Sequence, residues 1–250
     1  MTSESAFKYS EHFIENLSSA RKIVPIILDL IGTPKSVVDL GGGTGSWCKV
    51  FRENGVPRVL CIDDERIARS DLLVNPGEFL GCDLMEKVPD PVLADLAVSM
   101  EVVEHLRMEL SEQAVDFLTR SADLVLFSAA IPGQPDARHI NEHPPVFWKN
   151  LFEQRGFQRL DIIRPRIVTD SDISYWYRQN LFLFANSRGL GRVKNPRAAF
   201  DSIPDDFELV HRRILDIYRA PKPPPSLRRV LKNLWPFSLA TSRRRAKAGP

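Results

Sequence analysis

Long apolar runs and cysteine are both scarce in this chain of 250 residues. No run reaches the ~18 apolar residues that a membrane-spanning helix needs, and the polar segment 1–13 predicts no signal peptide. The three cysteines, Cys48, Cys61 and Cys82, form no CxxC pair and lie in or beside apolar runs. We therefore expect buried, reduced thiols, which suits a cytoplasmic location.

Net charge is also small, at +2, but it is unevenly distributed. Residues 220–250 contain eight Lys and Arg and no Asp or Glu, so the body of the chain, 1–219, is mildly acidic. An acidic body predicts no nucleic-acid partner. The proline-rich linker 220–226 leads into a basic amphipathic and disordered tail. We predict that 227–247 contacts a protein partner or the inner face of an anionic membrane.

Strand-like and helix-like segments alternate after a first predicted helix at 11–31. Such alternation indicates parallel βαβ units. The predicted fold class is therefore α/β, a Rossmann-like, seven-stranded, mostly parallel sheet with helices on both faces, in one domain over 1–219 whose motif-bearing core is 36–186. The predicted strands are 36–40, 58–63, 78–83, 94–100, 122–130, 157–164 and 179–186, and the clearest helices are 46–54, 111–122 (with Ser111 as its N-cap) and 145–156.

The segment GGGTG follows the first predicted strand and precedes a helix. A P-loop would place a Lys after the last glycine, and a dinucleotide loop would have a third glycine where Ser46 stands. The spacing instead is Asp39-x-Gly41-x-Gly43-x-Gly45, with an acid at the end of the strand. The glycine turn therefore lacks the phosphate-binding Lys of a P-loop, and it matches the dinucleotide pattern only in part.

On these motifs the sequence resembles the class I S-adenosylmethionine-dependent methyltransferases. The resemblance implies S-adenosylmethionine as the cofactor, with Asp39 and the glycine turn holding its methionine part. It implies that Asp63, or its neighbour Asp64, binds the ribose hydroxyls, and that Asp83 lies near the adenine amine. Met100 opens "MEVVEHL", which is similar to the family's motif after the fourth strand. The alternative is that these acids are ordinary caps or turn residues.

A second group of residues is a candidate for the chemistry. If 101–106 form a helical turn, Glu101, Glu104 and His105 share one face. His139 and His143 follow the fifth predicted strand, so both segments belong to the carboxyl edge of the sheet. We predict catalytic roles for His143, His139, His105 and Glu101.

Three interpretations of this group remain open. One histidine could act as a general base toward a hydroxyl acceptor. Two Glu and two His could bind a metal, since "EVVEHL" is similar to the metal-binding motif of plant small-RNA 2′-O-methyltransferases. The later histidines are spaced differently from that motif, however, and an acidic body does not suit RNA. The group could also be structural, and we assign no residue to a metal.

The predicted function is S-adenosylmethionine-dependent O-methylation of a sugar, a glycan or another small-metabolite hydroxyl. Trp176 and Tyr177, in "YWYRQN", are candidates for the acceptor pocket because aromatic rings stack on sugars and ring substrates. Three alternatives stay open: a metal-dependent RNA 2′-O-methyltransferase, an NAD(P)-dependent oxidoreductase, and a non-catalytic cofactor-binding subunit of a partner protein.

Overall fold

The structure is a computed structural model that describes residues 4–136 and 138–196. The predicted domain boundary at 219, the linker and the basic tail lie outside these residues and stay predictions.

Seven strands form one sheet, in the order β3-β2-β1-β4-β5-β7-β6. The first five of these in space pair in parallel, whereas β7 runs antiparallel to both β5 and β6. The predicted fold class is thereby confirmed. The strands are β1 (Ser36–Leu40), β2 (Arg58–Asp63), β3 (Phe79–Gly81), β4 (Leu96–Met100), β5 (Leu124–Ser128), β6 (Gln158–Leu160) and β7 (Phe182–Ala185).

Helices cover both faces of the sheet because alternate strand residues point to opposite sides. Val37 and Val98 belong to one apolar cluster, together with residues of α1 and α2. Val38 and Ala97 belong to a second cluster, together with residues of α3 and α4. The helices are α1 (Glu4–Ile31), α2 (Ser46–Glu53), α3 (Met108–Ser121), α4 (Pro145–Glu153), α5 (Arg164–Ile167), α6 (Tyr175–Asn180) and α7 (Ser187–Leu190).

The predicted strand boundaries are too generous at the sheet edges, where turn contacts replace ladder pairing. The third strand spans Phe79–Gly81 only, and the sixth spans Gln158–Leu160. Among the described residues, no helix combines the length and apolar character needed to cross a membrane.

Two local predictions before α3 are wrong. Ser111 is not its N-cap, since the helix begins at Met108; the buried Ser111 hydroxyl instead donates to the carbonyl of Val103 at 3.0 Å. Residues 101–106 are not one helical turn. A short 3-10 turn covers Val103–His105, and Glu101 stands before it in the left-handed region at φ 56°. The segment bends away from β4 there, so Glu101 does not share a helical face with the histidine.

Candidate active site

A cavity of about 520 Å³ opens where the parallel strands end, at the carboxyl edge expected for ligands in such sheets. The glycine loop and the acids at or just after the ends of β1, β2 and β3 form one side, called here the cofactor side. The end of β4, the 3-10 turn, the loop after β5 and helix α6 form the other, called here the acceptor side.

The glycine loop is held against the neighbouring strand by its backbone. The amide of Gly41 donates to the carbonyl of Ile62 at 2.8 Å. Gly41 and Gly43 both have positive φ and line the cavity, as predicted for a loop that closely approaches a ligand. Gly45, also at positive φ, is not among the residues that line the cavity, and a Cβ there would lie 2.8 Å from the side chain of Val74.

Gly42 is a cavity residue that the spacing pattern did not single out. A Cβ on it would lie 2.6 Å from Oδ2 of Asp39 and 2.7 Å from Sγ of Cys61. Both neighbours are buried and fixed on adjacent strands, so neither can move aside freely. This position therefore needs glycine for packing under the loop.

Asp39 lies beneath the loop with 1% of its surface exposed. Burial, with the nearby Asp63 carboxylate adding to it, raises the pKa of Asp39 to about 8. Its Oδ1 atom is buried and has no hydrogen-bond partner. A buried acceptor of this kind is costly unless a donor meets it, and an ammonium group would do so.

Asp63 closes the same side of the cavity at the end of β2. Its Oδ2 accepts from the amide of Gly43 at 2.6 Å, which ties the acid to the glycine loop. Burial raises the pKa of Asp63, while hydrogen bonds from the backbone amides of Asp64 and Gly43 oppose that rise. Asp64 and Asp83 also line the cavity, and both pair with the exposed guanidinium of Arg66.

Glu101 lies on the acceptor side in a strained backbone conformation. Its carboxylate accepts from Nε2 of Gln134 at 2.7 Å and from Nδ2 of Asn180 at 3.2 Å. Burial raises the pKa of Glu101. Left-handed strain at a non-glycine residue concentrates at functional sites, and this carboxylate sits on the cavity wall directly after Met100, which also lines it.

Two of the predicted histidines come together across the cavity wall. The ring centroids of His105 and His139 are 4.9 Å apart, and both residues line the cavity. Nδ1 of His139 lies 2.8 Å from Oε1 of Glu142, a contact that fixes the ring. Burial, the His139 ring and Arg138 together lower the pKa of His105 to about 4, so its imidazole is neutral at pH 7.

His143 is placed elsewhere. Its Nε2 lies 2.8 Å from Oδ1 of Asn141, and its ring stacks on Phe147 at a centroid distance of 3.9 Å. It is not among the residues that line the cavity. The predicted catalytic role of His143 therefore gains no support from its position.

Helix α6 supplies an aromatic wall on the acceptor side. Tyr175, Trp176 and Tyr177 all line the cavity, as expected for Trp176 and Tyr177. The Tyr177 hydroxyl donates to Oδ1 of Asn16 at 2.9 Å, which ties α6 to α1. Tyr175 was not singled out from the sequence, although it belongs to the same aromatic run.

Sequence reasoning missed the residues that hold the catalytic candidates in place. Gln134, from the loop after β5, and Asn180, the last residue of α6, clamp Glu101, and Glu142 orients His139. Gln134 and Asn180 are distant in the chain from the residue they contact, so no spacing pattern points to them. Glu142, three residues after His139, is the exception whose spacing could have been noticed.

Comparison with protein families gives a match to a methyltransferase-domain model over residues 11–162. Comparison with curated proteins gives no match. Among solved structures, TnmH superposes with a TM-score of 0.50 at 13% identity, over 74% of this chain and 58% of that one. CalO1, a methyltransferase in calicheamicin biosynthesis in its SAH-bound form, gives 0.45 at 17% identity, over 74% of this chain and 55% of that one.

A third structure is magnesium protoporphyrin IX methyltransferase from Synechocystis PCC 6803, with bound SAM. It gives a TM-score of 0.46 at 16% identity, over 70% of this chain and 81% of that one. The aligned part thus spans a little over half of TnmH and of CalO1. At these identities the likeness concerns the fold.

Proposed function

The chain belongs to the S-adenosylmethionine-dependent methyltransferases, and we propose from this premise that it methylates a hydroxyl group of a sugar, a glycan or another small metabolite. Membership confirms the predicted family and S-adenosylmethionine as the cofactor. The observation that carries the hydroxyl proposal is the His105–His139 pair, which lines the same cavity as the glycine loop.

The residues of the cofactor side fit the chemical groups of S-adenosylmethionine. Asp39 offers an unpartnered carboxylate oxygen for the amino group, and the backbone is open at Gly43, where an added Cβ would meet no atom within 4 Å. We assign the ribose hydroxyls to Asp63 and the adenine amine to Asp83, with Met100 on the cavity wall between the two sides. When bound, the cofactor supplies a methyl group activated by its sulfonium charge.

Asp39 also explains how the cofactor's amino group would be selected. Without a partner, the buried carboxyl holds its proton up to a pH of about 8. A cationic amine within contact distance favours the ionised carboxylate, so binding and ionisation support each other. A phosphate in the same place would meet a carboxylate and no cation, which disfavours nucleotide ligands.

The acceptor side fits a flat or ring-shaped molecule that carries a hydroxyl. Trp176, the partly exposed member of the aromatic wall, offers a ring for stacking, while the buried Tyr175 and Tyr177 pack behind it. Methyl transfer is an in-line displacement, so most of the rate gain comes from holding the two reactants in position. The strained Glu101 carboxylate, fixed by Gln134 and Asn180, is placed to accept a hydrogen bond from a second polar group of the acceptor.

The hydroxyl must also lose a proton, and the histidine pair is the group suited to help. The His105 imidazole is neutral at pH 7 and keeps a lone pair, and Glu142 orients the ring of His139. Such a pair can act on the hydroxyl proton directly or through a bound cation, and the two routes differ in their response to a chelator.

Transfer of a labelled methyl group from S-adenosylmethionine into fractionated cell extract tests this proposal. We expect the label in a small molecule or glycan, in an ether linkage that survives mild alkali. Label in a nuclease-sensitive fraction would favour RNA methylation instead. Cofactor binding without turnover on any fraction would favour a non-catalytic subunit, and an absorbance change with NAD(P)H would favour an oxidoreductase. The matched control is Asp39→Asn, which should lose cofactor binding and labelling together.

A further inference from the structure

Glu104, His105 and His139 form a cluster whose ligand atoms all lie within 4.8 Å of one another. We propose that these three residues bind a divalent transition-metal ion at the acceptor side of the cavity. The metal site itself is inferred from the geometry of the cluster. Its role in methyl transfer rests on the proposed function. It differs from the sequence-based expectation, which assigned no residue to a metal.

The carboxylate of Glu104 is the strongest argument for a bound cation. Its side chain is fully buried, and one oxygen, Oε1, accepts from the amide of Ala130 at 3.2 Å. The other oxygen, Oε2, is buried without any hydrogen-bond partner. A buried carboxylate oxygen needs a donor or a cation to offset its lost hydration. Among the residues that the structure describes, the two imidazoles beside it complete the cluster.

Both histidines have an outer contact at Nδ1. Nδ1 of His139 contacts Oε1 of Glu142 at 2.8 Å, and Oε2 of Glu142 accepts from the amide of Gly133 at 2.6 Å. Nδ1 of His105 lies 3.4 Å from the carbonyl of Arg138. With a proton on each Nδ1, the lone pair lies on Nε2. Outer contacts from a carboxylate and a carbonyl are the arrangement that fixes histidine ligands around metals.

The other candidate ligands of this region are engaged elsewhere. The carboxylate of Glu101 is held by Gln134 and Asn180, and the ring of His143 stacks on Phe147. The guanidinium of Arg138, which also lines the cavity, is paired with Asp136, with Nη2 to Oδ2 at 2.6 Å.

The donor set indicates the kind of ion. Two imidazoles and one carboxylate suit Zn²⁺, Mn²⁺, Fe²⁺ or Co²⁺ better than Mg²⁺, which prefers oxygen ligands. Three protein ligands also leave coordination positions open, as in catalytic sites. His105 and His139 line the cavity, so an open position would face the acceptor. An acceptor hydroxyl bound there would lose its proton to solvent at a lower pH than it does in water.

Metal binding by the full chain, after treatment with a chelator and dialysis, is the first test. Calorimetric titration with Zn²⁺, and the absorption spectrum with Co²⁺, should show one equivalent bound and only weak binding of Mg²⁺. Absence of stoichiometric binding by Zn²⁺, Mn²⁺ and Co²⁺ alike would overturn the proposal, whatever the protein's methyltransferase activity.

Variants then test which residues bind the ion. His105→Asn, His139→Asn and Glu104→Gln should each lower Zn²⁺ affinity more than ~100-fold, while Glu142→Gln, acting through His139, should lower it ~10–100-fold. His143→Asn removes an imidazole nearby and should keep wild-type affinity. Because Glu104 is buried, the result for Glu104→Gln is used only if the circular dichroism spectrum and melting temperature of the variant match those of wild type. If they do not match, the variant of the more exposed His105 provides the test. Retention of affinity in both histidine variants would overturn the assignment.

Methyl transfer with a chelator separates this inference from the proposed function. We expect activity to fall on chelation and to return with Zn²⁺, Mn²⁺ or Co²⁺. Unchanged activity in a metal-free protein would overturn the metal's role while leaving methyl transfer to a hydroxyl intact. Absence of any methyl transfer by the metal-loaded protein would contradict the proposed function. Metal binding measured by titration would remain valid in that case.

Discussion

The cofactor side of the cavity is built largely from backbone and short acids, whereas the acceptor side is built from longer side chains that distant segments hold in place. Asp39 and Asp63 lie at the carboxyl ends of β1 and β2, and the glycine loop that follows β1 packs against both of them. Glu101 and His139, by contrast, depend on Asn180, Gln134 and Glu142. The cofactor side suits one fixed ligand, the methyl donor. The acceptor side can be adapted to different acceptors by few substitutions.

The largest expected effect is a loss of turnover, without a loss of cofactor affinity, when the acceptor side is changed. His139→Asn should lower turnover ~100- to 10,000-fold, because it removes the group that helps the hydroxyl lose its proton. Its affinity for S-adenosylmethionine should stay at the wild-type value, since the ring lies on the acceptor side. Single-turnover methyl transfer and cofactor titration measure the two quantities. His143→Asn is the control, and an equal loss of turnover there would contradict the assignment.

The next largest effect is a loss of cofactor affinity when the cofactor side alone is changed. Gly42→Ala would place a Cβ 2.6 Å from Oδ2 of Asp39 and 2.7 Å from Sγ of Cys61. Overpacking of this kind costs about 1–3 kcal/mol, which as lost cofactor affinity corresponds to roughly 5- to 150-fold. Gly77→Ala, where no atom lies within 4 Å of the added Cβ, should bind the cofactor normally. Normal affinity in Gly42→Ala would show that the loop has more room than the structure gives it.

A third prediction concerns pH and the stability of the cofactor-free protein. Burial raises the pKa of Asp39 to about 8, from an ordinary value of about 4. Between these values the folded protein holds a proton that the unfolded chain has lost. The free energy of unfolding should therefore fall as pH rises through this window, by up to about 1.4 kcal/mol per pH unit from this residue.

In Asp39→Asn, the free energy of unfolding should decrease less steeply with rising pH. Urea unfolding at several pH values measures this slope. Asp172→Asn, which changes an exposed carboxyl, should keep the wild-type slope. A slope in Asp39→Asn as steep as in wild type would mean that Asp39 is already ionised in the folded protein.

The smallest expected effect lies at the rim of the cofactor side. Arg66 pairs with Asp64 and Asp83, but its side chain is 60% exposed. Exposed pairs contribute about 0–1 kcal/mol, so Arg66→Ala should change cofactor affinity by no more than about fivefold. Equilibrium dialysis with labelled S-adenosylmethionine is precise enough to decide this. A much larger loss would mean that the rim, rather than the loop, positions the acids.

The same contrast explains what could be predicted from the sequence. The strands β1 and β2, the glycine turn and the acids after them are local patterns, so their arrangement follows from chain order and the parallel sheet. The clamp on Glu101 joins residues 79 positions apart in one case, and no local pattern records that contact. The predicted shared face of Glu101 and His105 is wrong for a related reason, because the backbone turns left-handed at Glu101.

The most direct test of the division between the two sides is calorimetric titration of S-adenosylmethionine into three proteins: wild type, Gly42→Ala and the double variant His105→Asn/His139→Asn. We predict one bound cofactor per chain in wild type, the same affinity in the double histidine variant, and clearly weaker binding in Gly42→Ala. Equal weakening in both variants, or no binding by wild type, would contradict the account.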